Sequence, residues 1–297
     1  MKKIQVIKVV VLTVLCSGLF IFSVSTDEKK LQLNEGTSQY FPLEVDFSGE
    51  KAPLQIADVK ERFDRELLVN ANLHSSTILI MKRANRVFPI IEPILKQNGV
   101  PDDFKYLAVI ESALTNAVSP SGAKGIWQFM PETAKEKGME VNDIVDERYH
   151  LTKATEAACS YLIKAKEKFG SWTLAAASYN GGMTGVNTKI AEQKVTDYYD
   201  LLLTDETSRY VFRILALKEI MKNPTLYGFQ VDEKELYTII PTKTIAIDST
   251  ITNLADFAKS QGINYKILKI HNPWLRDKKL ANPSKKVYQI EIPLSGY

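Results

Sequence analysis

From Val109 to Ala134 the chain reads Val-Ile-Glu-Ser-Ala-Leu-Thr-Asn-Ala-Val-Ser-Pro-Ser-Gly-Ala-Lys-Gly-Ile-Trp-Gln-Phe-Met-Pro-Glu-Thr-Ala. Glu111 interrupts an apolar run of helical character, and a loop of small residues and an aromatic-amide segment follow it. A carboxyl group set in an apolar wall keeps its proton near neutral pH, because burial penalises the charged form. Such a group can place a proton on a glycosidic oxygen.

The helix that must carry Glu111 starts at Val100-Pro101-Asp102-Asp103, where Pro suits the first turn and acids favour the positive end of the dipole. Phe104, Leu107, Ala108 and Glu111 then fall at i, i+3, i+4 and i+7, on one face. Tyr106, Val109, Ile110 and Ala113 make a second apolar face, and a helix apolar on two sides is buried. On helix position alone, a Glu that turns outward at the helix end or pairs with a base is the commoner outcome.

The blocks around and after it narrow the choice. Glu111-Ser112, Ser119-Pro-Ser121-Gly122-Ala123-Lys-Gly125, Ile126-Trp127-Gln128-Phe129-Met130-Pro131 with Thr133-Ala134, Ala176-Ala177-Ser178-Tyr179-Asn180-Gly181-Gly182 and Glu206-Thr-Ser-Arg209-Tyr210-Val211 follow in order. Together they resemble the motifs of the lytic transglycosylases, the family of goose-lysozyme-like fold that cleaves bacterial peptidoglycan. The Trp127-Gln128 pair and Val145-Asp146-Glu147-Arg148 look most like its membrane-bound D-type branch. The resemblance implies Glu111 as the catalytic residue. It implies a glycan cleft lined by Ser112, Ser121, Gln128, Tyr179, Asn180, Glu206 and Tyr210, with Met130 at its floor. It also implies one-carboxylate chemistry that forms a 1,6-anhydromuramic acid end, with no cofactor and no metal.

Each block also has a plain physical reading. Two glycines and small side chains let a backbone approach a ligand closely, or simply turn the chain between helices. Gln128 offers donor and acceptor, while Trp127 and Phe129 offer flat apolar faces. Sugars use both, and so does a half-buried strand, which is how this piece reads. Asn180-Gly181-Gly182 suits a left-handed helix cap. Tyr179 before it would aim its hydroxyl at the Glu111 carboxyl or at a sugar. Glu206 falls in the first turn after a Thr204 N-cap, where a carboxylate is stabilised for structural reasons alone.

The chain has 297 residues, 45% hydrophobic and 25% charged, enough for one domain of ordinary size and a small module. Lys2, Lys3 and Lys8 precede an apolar run from Val9 to Val24, and Ser23-Val24-Ser25 offers small residues for cleavage. Residues 1–25 therefore read as a signal peptide or an uncleaved membrane anchor, and Cys16 adds lipidation as a third option. Export to the periplasm or cell envelope is expected. Without that leader 35 basic and 35 acidic residues remain, so there is no nucleic-acid footprint. Cys159 lies beside an apolar helical stripe and reads as packing. His74, His150 and His271 are scattered, without metal-ligand spacing.

The expected fold is mainly α. Residues 26–53 read as a stalk, 54–230 as a lysozyme-like α-helical domain, and 236–297 as a small β-α-α-β module. Helices are expected at Thr152–Phe169, Trp172–Tyr179 and Asp205–Lys222. In the module, Leu236–Pro241, Thr244–Ile247 and Val287–Pro293 read as strands, and Ile251–Ser260 and Tyr265–Ile270 as helices. The order and Asn272-Pro273 resemble a LysM peptidoglycan-binding module, but Ile247-Asp248-Ser249 lacks the usual Gly of the Gly-Asp-Thr start. Glycan binding and a purely structural role both remain open for it. The expected partner is peptidoglycan glycan strands, with the membrane added if the leader is retained or lipidated. The alternatives are a lysozyme-type hydrolase, which usually needs two carboxylates about 5 to 9.5 Å apart, and a non-catalytic cell-wall glycan binder.

Overall fold

The computed structural model describes residues 40–296. The leader, Cys16 and the first part of the expected stalk lie outside the described residues.

The described chain contains ten α-helices and two small two-stranded sheets. It begins with a hairpin, β1 (Asp46–Phe47) and β2 (Glu50–Lys51), whose turn residues Ser48 and Gly49 both have positive φ, at 56° and 81°. That is the turn whose twist matches a hairpin. Helices α1 (Ala57–Asn72), α2 (His74–Gln97) and α3 (Phe104–Ser112) follow. Then come a short α4 (Pro131–Glu136), α5 (Leu151–Phe169), α6 (Trp172–Gly181), α7 (Met183–Gln193) and α8 (Asp205–Lys222).

Helix α8 is the axis of this domain and packs on α1, α3 and α6. Tyr210, Val211, Phe212, Ile214, Leu215 and Leu217 are all buried, so the helix is enclosed over most of its circumference, with Arg209, Arg213 and Glu219 on the remaining face. Its N-terminus is capped by Thr204, whose hydroxyl accepts from Thr207 N. Helix α3 is as deeply set: Phe104, Leu107 and Ala108 are fully buried, and Val109 is 1% exposed.

The expected stalk is corrected by the structure over residues 40–53, which pack into the domain. Phe47 is fully buried and meets Phe104 edge-on with ring centroids 4.9 Å apart. The Glu50 carboxylate accepts from Trp172 N (2.7 Å) and from Thr173 N (2.8 Å), capping α6. Lys218 Nζ, on α8, bonds Asp46 O at 2.6 Å and Asp103 Oδ2 at 2.7 Å. The stretch is polar because its polar side chains pair with helix ends and buried charges, which looks in sequence like solvation.

The C-terminal module pairs β3 (Thr242–Ile247) with β4 (Tyr288–Pro293), antiparallel, with Thr242 opposite Pro293 and Ile247 opposite Tyr288. Helices α9 (Leu254–Ser260) and α10 (Tyr265–His271) lie between them in the chain, each N-capped by an Asn side chain, Asn253 and Asn264. Asn272 is fully buried and acts as a strand partner: it donates to Glu291 O and accepts from Glu291 N. Leu236–Pro241, expected as a strand, is not one. It runs along α2, where Tyr237 N bonds Lys82 O and Arg86 lies over the Tyr237 ring.

Among the described residues no helix is long and apolar enough to cross a membrane.

Candidate active site

Glu111 stands one residue before the C-terminal end of α3. Burial pushes its carboxyl up to about 7. A hydrogen bond from the Tyr210 hydroxyl and the nearby Arg213 guanidinium oppose that rise, and the Glu206 carboxylate reinforces it. Glu206, Tyr210 and Arg213 lie at i, i+4 and i+7 on α8, so one helix face surrounds the acid. Arg213 also donates to Ile110 O, which fixes α8 against α3.

Directly after Glu111 the backbone turns sharply. Ala113 and Leu114 both have positive φ, at 51° and 58°, and Gln128 does too, at 50°. Left-handed backbone at non-glycine residues is costly and persists only where the surroundings impose it. Here the imposing contacts are visible. Arg83 donates to Ala113 O, and the Ser112 hydroxyl donates to Ile126 O at 2.8 Å. The loop from Ala117 to Phe129 folds back on itself through Ser119 N to Ala123 O, Lys124 N to Phe129 O and Gly125 N to Ala117 O. Residues 126–129 form a tight turn where a strand is expected, because Trp127 is drawn into the core, its ring N–H bonded to Thr155.

From α6 comes Asn180, which donates to Glu206 Oε1 at 3.1 Å and accepts from the Thr207 hydroxyl at 2.7 Å. Gly181 makes this approach of α6 to α8 possible: a β-carbon there would lie 3.0 Å from the Thr207 side chain. The result is an acid at the end of a buried helix, framed by a tied loop and two helices. It can hold a proton near neutral pH and accept one back.

Two family models match this chain: residues 88–202 match the transglycosylase SLT domain, and residues 243–296 match the soluble lytic transglycosylase C-terminal LysM-like domain. Two curated relatives are each described as a membrane-bound lytic murein transglycosylase D, one from Escherichia coli strain K12 and one from Escherichia coli O6:H1. Each is 28% identical over 244 residues, which is 79% of this chain and 52% of the relative. The chain thus spans about half the length of the curated relatives it matches.

The site differs in detail from the sequence expectation. Tyr210, not Tyr179, bonds Glu111. The Tyr179 hydroxyl donates to Trp127 O at 2.8 Å, and its ring packs edge-on against Phe129 and Tyr161. Ser112 is buried, its hydroxyl donated to the Ile126 and Ala108 carbonyls, so it ties the loop to α3 instead of facing a sugar. The Gln128 amide nitrogen bonds Ala117 O and Gly125 O and braces the loop. Met130 and Ser121 are exposed, Met130 by 43%, and Glu206 and Asn180 sit together at the rim.

Three contributors to the site are not among the residues expected to form it, although two of them fall in the Val145-Asp146-Glu147-Arg148 block noted in the sequence. Arg213 is one, and its spacing from Glu206 and Tyr210 was the available signal. Asp146 and Arg148 are the others: both are buried, with Arg148 Nε at 2.9 Å and Nη2 at 2.7 Å from the Asp146 carboxylate. Arg148 Nη1 donates to Gly122 O and Phe129 O, the two shoulders of the loop. Cys159 is fully buried and its thiol is pushed up to about 12 by burial, consistent with packing. Among the described residues no group of three or more His, Cys, Asp or Glu is placed to hold a metal.

Proposed function

We propose that this chain is a peptidoglycan lytic transglycosylase that cleaves the β-1,4 bond between N-acetylmuramic acid and N-acetylglucosamine. The observation that carries this reading is Glu111, a half-buried side chain whose carboxyl is raised to about 7 and hydrogen-bonded by Tyr210, inside a stretch that matches the SLT domain. Glu111 in its acid form gives its proton to the glycosidic oxygen as the bond to C1 breaks. The carboxylate so formed takes the proton of the muramic acid 6-hydroxyl, whose oxygen closes on C1 and makes a 1,6-anhydro end. Tyr210 and Arg213 stabilise the intermediate carboxylate. No water is consumed.

Glu206 supports a second reading. Its carboxylate is exposed, is held by Asn180, and acts electrostatically on Glu111. A second carboxylate near the acid is what a hydrolase uses to activate water. Mass spectrometry of products from purified peptidoglycan separates the two. Anhydro ends support the transglycosylase, reducing ends the hydrolase, and no cleavage a glycan binder. An active Glu111→Gln variant would remove Glu111 from the catalytic role in either scheme.

The relatives' description as membrane-bound, with the charged and apolar leader, supports a place in the cell envelope for this chain. Cell fractionation with an antibody to the folded domain checks it, and a cytoplasmic pool alone would refute it.

A further inference from the structure

The C-terminal module does not hang from the SLT domain on a free linker. Its apolar core includes two residues of the SLT domain, Val145 and Tyr149, packed with Leu254, Leu268, Leu275 and Ile290. Asp146 N donates to Trp274 O at 2.9 Å and Arg276 N donates to Ile144 O at 2.8 Å, so Val145 and Leu275 pair as strands do. Arg276 lies over the Tyr149 ring, 4.3 Å from its centroid. Lys286 and Tyr288 bond Glu140 at 2.7 and 2.9 Å. Segment 140–149 is therefore shared between the two domains.

That segment also holds the active-site loop. Asp146 fixes Arg148 through two nitrogens, and the third spans Gly122 O at 3.0 Å and Phe129 O at 3.2 Å. Gly125 rests on the same segment, where a β-carbon would lie 1.9 Å from Arg148 O. From the loop, Ser112 and Tyr179 carry the arrangement to the helices of the acid, through Ile126 O and Trp127 O. Backbone bonds, side-chain bonds to loop carbonyls and one buried ion pair thus join the C-terminal module to the loop beside Glu111.

We propose that Arg148 is a positioning residue which, held by Asp146 and the docked C-terminal module, keeps the 117–129 loop in its glycan-accepting conformation. The module then serves cleavage through the loop, in addition to or in place of any glycan affinity of its own. This rests on the transglycosylase reading for its kinetic half only.

The test uses the full chain with Arg148→Lys and, separately, Leu275→Ala. Lysine keeps a positive charge beside Asp146, but its three donors radiate from a single nitrogen and cannot reproduce the planar fork whose separate nitrogens reach the carboxylate on one side and the two loop carbonyls on the other. Leu275→Ala loosens the module side of the contact. If the loop occupies its competent conformation only a tenth of the time, KM rises about tenfold while kcat stays the same, because glycan selects the competent fraction. A variant that merely unfolds in part gives the opposite split: kcat falls with the active fraction and KM is unchanged. We expect KM on soluble glycan strands to rise about tenfold in both variants. We also expect the Ala123, Lys124 and Gly125 amides to lose most of their protection from hydrogen exchange, with α8 amides unaffected. Unchanged KM, or loop amides as protected as in the unsubstituted chain, overturns the proposal. A loop loosened by Arg148→Lys but not by Leu275→Ala overturns the module's part in it. If the unsubstituted chain cleaves no strand, the functional reading fails, and the exchange measurement alone decides whether Arg148 and the module hold the loop.

Discussion

The Tyr210 hydroxyl donates a hydrogen bond to Glu111 Oε1, joining residues 99 apart in the chain. The bond stabilises the carboxylate, whereas the burial of the same group favours the acid. Burial wins, and the balance leaves Glu111 titrating near 7. A group poised there can give and retake a proton without a large bias either way.

Glu111→Gln should abolish activity, by about 10²-fold to 10⁴-fold or more, since an amide cannot donate a usable proton. It should also stabilise the protein at alkaline pH. The native carboxyl titrates above its unfolded value, so wild-type stability falls between about pH 4.5 and 7 as the buried group must ionise. Glutamine escapes that loss, which for a shift of this size is at most about 3 kcal/mol. Denaturant melts at pH 4 and pH 8 check this. A variant no more stable than wild type at pH 8 would contradict the buried setting of Glu111.

The pH profile should show its alkaline limb near 7, with cleavage falling as Glu111 loses its proton. Tyr210→Phe removes a bond that favours the carboxylate, so the limb should move to higher pH while kcat drops. Initial rates on glycan strands across pH 5 to 9 read both effects, and a limb moving to lower pH would reverse the assigned role of Tyr210.

Glu50→Ala should lower stability by about 1–3 kcal/mol without touching the site, because the Trp172 and Thr173 amides at the start of α6 and the Ser171 and Thr173 hydroxyls lose a charged acceptor, while the Ser171 N-cap remains. Burial pushes the Glu50 carboxyl up, but hydrogen bonds from Thr173, Trp172 and Ser171 outweigh it and hold the group below its ordinary value. Its contribution is therefore complete above about pH 4.5 and is lost as the pH falls through the lowered folded value. The gap between variant and wild type in chemical melts should shrink below pH 4, and a gap constant with pH would rule out the charged cap.

Gly125→Ala should be among the most damaging small substitutions, costing more than about 2 kcal/mol. The residue has φ of 81°, and its new methyl would overlap Arg148 O at 1.9 Å. Gly122→Ala shares the positive φ but meets nothing within 4 Å, so it should cost less. Thermal melts of the pair separate backbone strain from steric overlap, and equal losses would show that the clash is relieved.

The sequence by itself determined the helical domain, the β-α-α-β order of the module and the acid. Periodicity on two faces of α3 marks a buried helix, because a helix repeats its environment every turn and that information is local, but it took the later motif blocks to single out Glu111. The Asp205–Lys222 helix and its Thr204 cap were readable for the same reason. Tertiary structure decided which partner meets the acid. The sequence points the Tyr179 hydroxyl at the acid or at a sugar, and only the packing of α8 on α3 selects Tyr210 and brings Arg213 with it. It also decided that residues 40–53 belong to the core and that the loop's side chains brace backbone instead of facing solvent. Val145–Arg148 likewise became a joint between two domains. Each of those outcomes depends on a buried polar group finding a partner far along the chain, and composition cannot distinguish a paired charge from a solvated one.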